Sequence, residues 1–289
     1  MTDFRSFAET AGTMTKRNLM MFFRDRSSVL ATLMGIVIIL FLYIGILRSG
    51  IVGEFADYPS PGTMADAWIT GGLLGIIPVT ASAVAMGRLL YDRISGTFGD
   101  FRSSPADTSA ITFGYILSTF VVAFVMSLIF LVFACIWAVY NGLNITASDI
   151  LISVGLMVPS ILSACSILFF LTFFINSKGA YNGFIMILNI LIGFGTGTFI
   201  PMGIFSKSIQ NVMSVIPATQ SGAIFRDIFG AEAMETTFGT AGEVETMRTY
   251  LGYDLNIGSW QIDPVFSVLY LFGTAAVFFL LSVLMMRRR

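Results

Sequence analysis

Six stretches of this sequence, residues 29–47, 67–87, 113–140, 151–175, 179–206 and 265–286, contain no Asp, Glu, Lys, Arg or His. The 16 basic and 17 acidic residues all lie between or outside them. A run of about 18 or more apolar residues without charge is long enough to cross the ~30 Å hydrocarbon layer as a helix. In that layer backbone polar groups must bond one another, which leaves the helix as the default solution. The expected fold is therefore an all-α polytopic membrane protein with six transmembrane helices. Of its 289 residues, 56% are hydrophobic and 11% charged, against about 25% charged in soluble domains. Six spans leave no room for a large soluble domain, so residues 1–289 read as one membrane domain.

The same charge map excludes function classes. Ionisable groups inside spans are the usual carriers of proton and ion coupling, and the six stretches have none. No His is present, which removes the commonest metal ligand and general base. No metal site is expected. Cys135 and Cys165 fall inside spans and read as small apolar packing residues rather than a disulfide or thiol metal site. No G-x-x-x-x-G-K-[ST] occurs, so nucleotide phosphates are not cradled by that device. Nothing points to nucleic acid.

Lys and Arg set the orientation. With a cytoplasmic N-terminus, the inner side carries Arg5, Lys16, Arg17, Arg24, Arg26, Arg88, Arg93, Arg102, Lys178 and Arg287 to Arg289. The outer side carries Arg48, Lys207, Arg226 and Arg248, a split of 12 to 4. Both termini are expected in the cytoplasm. A cleaved leader is not expected, because the first span follows a 28-residue polar and amphipathic segment.

That segment, 1–28, places Phe4, Phe7, Ala11, Met14 and Phe22 near one helical face and Arg5, Glu9, Lys16, Arg17 and Arg24 opposite. The pattern fits an amphipathic helix in the headgroup plane, its basic side toward anionic lipid. Span 2 carries Gly71 and Gly75 at small-xxx-small spacing, followed by Pro78. Close helix packing and a hinge or gate both account for these residues. Span 5 carries Gly193, Gly195, Gly197, Pro201 and Gly203, so its outer end is expected to unwind or re-enter. The segment 206–262 follows. Ile209, Val212, Met213 and Ile216 form one helical stripe. After Pro217, Ile224 and Ile228 form another, and Phe225 and Phe229 a third. Two short amphipathic helices lying on the outer membrane face are expected, with 232–254 as a solvated acidic cap.

The 88–112 loop, RLLYDRISGTFGDFRSSPADTSAIT, concentrates three basic and three acidic residues between two spans. Gly96 and Gly99 permit tight turns and Pro105 stops any helix. Phe101 among the charges is expected to stand out as a knob for a partner's groove; an ordinary solvated loop accounts for the composition equally.

Asp92, Arg93, Gly96, Thr97, Ser104 and Pro105 resemble the segment after the second span in ABC-2-type transporter permeases. There an acidic–Arg pair precedes Gly-Thr and, further on, a small residue and Pro. Ile94 and Gly99 stand where that family commonly has acidic residues. The order of Gly197, Pro201, Pro217 and Arg226 is similar to the family's fifth span and external re-entrant helices. The resemblance covers nearly the whole chain.

It implies a permease subunit of an ATP-driven exporter in the plasma membrane of a bacterium. Two separate ATP-binding cassette subunits would drive it, and a second permease protomer, identical or paralogous, would complete the pathway. ATP and Mg would be held by the partner, with no cofactor on this chain and no catalytic residue. Residues 1–28 would be the connecting helix, with Lys16, Arg17 and Arg24 on it. The 88–112 loop would be the coupling element, through Asp92, Arg93, Gly96, Thr97, Asp100, Phe101, Arg102, Ser104 and Pro105, with Lys178 as a smaller contact. Gly71, Gly75, Pro78, Gly193, Gly197 and Pro201 would lie along the gate or pathway. Spans rich in Phe, Met and Ile suggest an apolar or amphipathic substrate of the drug, antibiotic or toxin kind. Export of glycolipid or polysaccharide remains the alternative within the family. An integral membrane enzyme acting on lipid is the alternative of another class, and Asp92, Asp100 and Asp107 would be its acidic candidates.

Overall fold

The computed structural model describes residues 4–288, with the side chains of 28, 31, 32, 35, 36, 39, 40, 42, 102 and 286–288 outside the description. Arg102 and Arg287 to Arg289, which carry expectations drawn above, therefore lie outside the described side chains. The chain is almost entirely helical. Helix α1 (Phe4–Arg24) leads into α2 (Arg26–Leu42), a π turn (Tyr43–Leu47) and the short α3 (Arg48–Glu54). Then come α4 (Pro61–Ile94), α5 (Thr97–Ser103), α6 (Thr108–Tyr140), α7 (Ala147–Thr172) and α8 (Lys178–Gly195). A 3-10 turn (Met202–Ile204) precedes α9 (Lys207–Val215), α10 (Pro217–Phe238) and α11 (Ala241–Leu251). A two-residue hairpin, β1 (Asn256–Ile257) with β2 (Trp260–Gln261), leads to α12 (Pro264–Arg288).

Local chemistry sets these boundaries. Pro61, Pro217 and Pro264 stand at or beside the first turns of α4, α10 and α12, where a missing N–H is no loss. Asp107 accepts the Ser109 N–H at the start of α6, and Thr146 with Asp149 forms a capping box at the start of α7. Both satisfy donors that the helix itself leaves orphaned. Gly96 holds φ +84° between α4 and α5, a conformation that L side chains rarely adopt.

Among the described residues, α4, α6, α7 and α12 are long and apolar enough to cross a membrane. The predicted spans 29–47 and 179–206 correspond to shorter pieces. Span 1 is divided between α2 and the π turn, and span 5 is helical only to Gly195. The unwinding anticipated at the end of span 5 is present. The amides of Thr198 and Phe199 return to the carbonyl of Gly193, and Gly197 has φ +65°. Phe199 folds back so closely that a Cβ on Gly193 would sit 2.0 Å from its ring.

Helix α4 is the axis of the molecule. Over its central segment 83% of residues are buried, and α10, α6, α7 and α8 all pack around it. At about 1.5 Å per residue its 34 residues reach roughly 51 Å, more than the ~30 Å thickness of a hydrocarbon layer.

The segment 206–262 departs most from expectation. It holds three helices, and α10 is a 22-residue helix wedged against α4, α7 and α12 rather than lying on an outer face. Phe225, Phe229, Met234 and Phe238 belong to the main core. The reason is written in the two neighbouring apolar stripes noted above. A helix apolar around most of its circumference has no face to leave on a surface. Gly71 and Gly75 receive it. A Cβ on Gly71 would lie 2.4 Å from the backbone of Arg226, and one on Gly75 would lie 2.6 Å from the Cα of Gly222. Close packing is thus the observed role of both glycines. Pro78 lies inside α4 without ending it. We expect Gly71→Ala to force the two helices apart at a cost of about 2–3 kcal/mol, read as a lower thermal midpoint in detergent; an unchanged midpoint would contradict this packing.

Helix α1 also differs in detail. Of the expected apolar face, Ala11 and Met14 are buried and Phe7 and Phe22 half-buried, and the polar Thr15 and Asn18 are buried beside them. Phe4 is exposed, whereas Phe7 meets Phe113 at 6.0 Å between centroids. Thr15 donates to the Gly114 carbonyl and Asn18 to Ser118 Oγ. Gly114 has no room for a side chain, since a Cβ there would lie 2.6 Å from Met14 Cβ. Helix α1 is therefore fastened along α6 by polar bonds and close contact.

Candidate functional site

The end of the bundle where α4 stops, α5 turns and α6 begins gathers most of the residues singled out from the sequence. Asp92 is its centre. The carboxylate is buried and accepts from Arg17 Nη1 at 2.9 Å, Arg88 Nη2 at 2.5 Å and Tyr115 Oη at 2.6 Å. It therefore binds α1, α4 and α6 together. Charge-assisted bonds of this kind are shorter and stronger than neutral ones. A carboxylate this deep is tolerated because both oxygens accept hydrogen bonds and two of the donor groups are cationic.

Its neighbours reach elsewhere. The Arg93 guanidinium donates to the Thr172 carbonyl at 3.0 Å and lies over the Phe173 ring at 5.5 Å. Thr172 ends α7, so Arg93 satisfies one of the carbonyls a helix C-terminus leaves open. Tyr91 on the other side stacks under Lys178 at 5.0 Å and donates to Asn182 Oδ1 at 3.4 Å, both on α8. Three consecutive residues, Tyr91, Asp92 and Arg93, thus grip α8, α1 with α6, and α7. This works because successive side chains on a helix point about 100° apart.

Helix α5 hangs beneath this node. Phe98 packs on Tyr115 with centroids 6.0 Å apart. Phe101 is half-buried, lies under the Arg17 guanidinium at 5.0 Å and joins the apolar cluster of Met14, Met86, Leu89 and Phe169. The expectation of Phe101 as an exposed knob is corrected: both aromatics point inward and fasten α5 to the bundle. The outward face consists of Ile94, Gly96, Gly99, Asp100, Ser103, Ser104 and Pro105. Thr97 Oγ1 pairs with Ser95 Oγ at 3.0 Å and Ser104 Oγ donates to the Phe101 carbonyl, so these hydroxyls shape the turn. Lys16, Arg24 and Lys178 are exposed.

The sequence reading missed Arg88, Tyr91 and Tyr115. Arg88 was detectable, since it precedes Asp92 by four residues on one helix face. Tyr115 carried no such signal, because its partner is 23 positions away.

At the opposite end of α4, Asp66 is buried and takes two bonds from Arg48, each 2.9 Å, and one from Tyr43 at 2.9 Å. Asp66 and Asp92 are 26 residues apart on one helix, about 39 Å, so the two ion clusters bracket its apolar middle. Arg226, expected on a helix lying on the outer membrane face, is instead enclosed. It is fully buried at the level of Gly71 and Gly72. Its donors reach the Gly252 carbonyl at 3.0 Å, the Thr196 carbonyl at 2.9 Å and Thr198 Oγ1 at 3.2 Å, and its guanidinium stands 5.7 Å from the Trp68 ring centroid. Gly193 and Gly197 shape the loop that presents Thr196 and Thr198. Pro201 precedes the 3-10 turn whose Met202 packs against Gly197.

Residues 55–284 match the family described as ABC-2 family transporter protein. A comparison with curated proteins gives no match. The matched stretch runs from the end of α3 into α12 and takes in the α4–α5–α6 node, the glycine contacts of α10 and the Arg226 cluster. The chain belongs to the ABC-2 family of membrane transporter subunits, and is a multi-pass membrane protein that works with ATP-binding subunits.

Proposed function

We propose that the chain is the permease subunit of an ATP-driven exporter for an apolar or amphipathic, drug- or toxin-like substrate. Two permease protomers enclose the pathway and two ATP-binding subunits dock below. In this reading α2 with the π turn, α4, α6, α7, α8 and α12 are six spans, and both termini face the cytoplasm. The re-entrant α9–α10 unit and α11 then lie toward the outside.

The observation that carries the reading is the node at Tyr91, Asp92 and Arg93. A displacement applied to α5 passes through Phe98 and Phe101 and the turn at Gly96 to the end of α4, whose three adjacent side chains connect to α1, α6, α7 and α8. That is what converting closure of a partner into a rigid-body shift of helices requires. Helices α2 and α8 flank α4 and expose Met34, Ile38, Phe41, Met186, Ile187 and Leu191. They supply a surface for a second protomer and walls without charge. Phosphoryl transfer stays in the partner, and this chain contributes movement.

The test is association. The chain coexpressed with its ATPase should copurify with it, and hydrolysis should rise on adding substrate. Asp100→Arg, on the outward face of α5, should cut copurification and stimulated hydrolysis at least fivefold with an unchanged thermal midpoint. Full association and stimulation in this variant would place the contact elsewhere. Absence of any ATPase partner would end the reading.

A further inference from the structure

Between α1, α4 and α6, beside the Asp92 node, lies an open cleft of roughly 510 Å³. Its lining includes the guanidinium-bearing Arg17, Arg24 and Arg88 and the apolar Phe22, Val84 and Val122. We propose that this cleft binds one anionic phospholipid, with the phosphodiester among the arginines and an acyl chain along α4 and α6. The placement of this end of the bundle at the inner leaflet rests on the reading above.

The charge balance fits. Asp92 engages Arg17 through Nη1 and Arg88 through Nε and Nη2. A guanidinium has five N–H donors in a planar fork, so Arg17 keeps Nε and Nη2 and Arg88 keeps Nη1 for another acceptor. The two side chains remain about a quarter and a third exposed, 26% and 34%. Arg24 is exposed on the rim. The acidic groups here are Asp25, which lines the cleft, and Asp92, buried behind Arg17 and Arg88. Three guanidinium groups against two carboxylates leave one positive charge, the complement of a single phosphodiester. Arg is suited to this task because its fork matches phosphate oxygens.

The shape fits as well. From Tyr91 to Val84 the α4 wall rises about 10 Å, and over that height it changes from the Tyr91 hydroxyl and the Arg88 guanidinium to Ala85 and Val84. This is the sequence of environments from headgroup to acyl chain. Helix α2 touches α4 only lightly, so the cleft is open toward its side. Bound there, a lipid would fill the space between the connecting helix and α4 and brace the node.

The test uses the full chain in detergent micelles, exposed to phosphatidylglycerol or phosphatidylcholine and read by native mass spectrometry. Phosphatidylglycerol should be retained as one copy per chain and phosphatidylcholine lost. Arg24→Gln should lower that retention about fivefold, since a single basic residue at a lipid surface is worth about that factor. Lys16→Gln, on α1 but outside the cleft, should leave it unchanged. A phosphatidylglycerol with a photoreactive acyl chain should label the α4 and α6 peptides around Val84 and Val122. Equal losses in both variants would mean diffuse attraction by α1 and overturn the site. Displacement by millimolar inorganic phosphate would identify a soluble-anion site and overturn the lipid assignment. None of these readouts involves an ATPase, so failure here leaves the exporter reading standing, and failure of ATPase association leaves this site standing.

Discussion

Asp92→Asn is expected to lower the thermal midpoint of the detergent-solubilised chain by roughly 5–10 °C and to abolish most ATP-driven transport. The substitution keeps the shape of the side chain and removes its charge. Arg17 and Arg88 then face each other beside a neutral amide, and the Tyr115 hydroxyl loses its strong acceptor. Removing one partner of a buried ion cluster costs about 3–5 kcal/mol. Partial exposure of both arginines, 26% and 34%, lets water recover part of that, which leaves about 2–3 kcal/mol. At this chain length each kcal/mol moves the midpoint by roughly 2–4 °C. The transport loss should exceed the stability loss, because α1 and α6 would no longer follow α4. Full transport in a destabilised variant would show that Asp92 is only a structural pin. An unchanged midpoint would show that the three bonds contribute nothing net.

The contrast between Asp92 and Phe101 shows how much of the site was legible beforehand. Asp92 and Arg93 stood out as an adjacent acid and base at the edge of an apolar span, and the node centres on them. The direction of Phe101 could not be read, because a seven-residue helix between two turns can present either face. Only the Met14–Phe169 cluster beneath it and Arg17 above decide which face turns inward. The general layout of apolar helices was legible because charge exclusion from lipid is written residue by residue. The extent of each helix was less so. Span 5 continues as an apolar run past Gly195, yet the chain unwinds there because Phe199 packs back on Gly193. The two apolar stripes of α10, interrupted by charged residues, suit a helix lying on a surface as well as one packed inside. Arg226, the most buried of them, owes its place to backbone carbonyls, and no side-chain pattern announces those.

Arg226→Met is the second substitution expected to have a large effect, and Arg226→Lys separates its causes. The guanidinium joins the carbonyl after α11 (Gly252) to the carbonyl and hydroxyl that follow α8 (Thr196 and Thr198). Helix α10 carries it into place along Gly71. Methionine fills a similar volume and removes every donor. Two carbonyls and a hydroxyl are then left without this partner, at about 1–3 kcal/mol each. Relief from burying a cation offsets part of this, so a net loss of about 3 kcal/mol is expected. It should appear as a midpoint lowered by roughly 6–12 °C, with faster proteolysis in the 196–206 and 252–258 loops. If charge alone mattered, lysine would restore stability. An ammonium on a shorter reach cannot span two carbonyls on separate segments as a planar fork does, so Arg226→Lys should stay within about 1 kcal/mol of the methionine variant. Wild-type stability in the lysine variant would refute the fork. Wild-type stability in the methionine variant would mean that the outer loops are held by α10 packing alone, with the Trp68 bond to the Leu251 carbonyl as their tether.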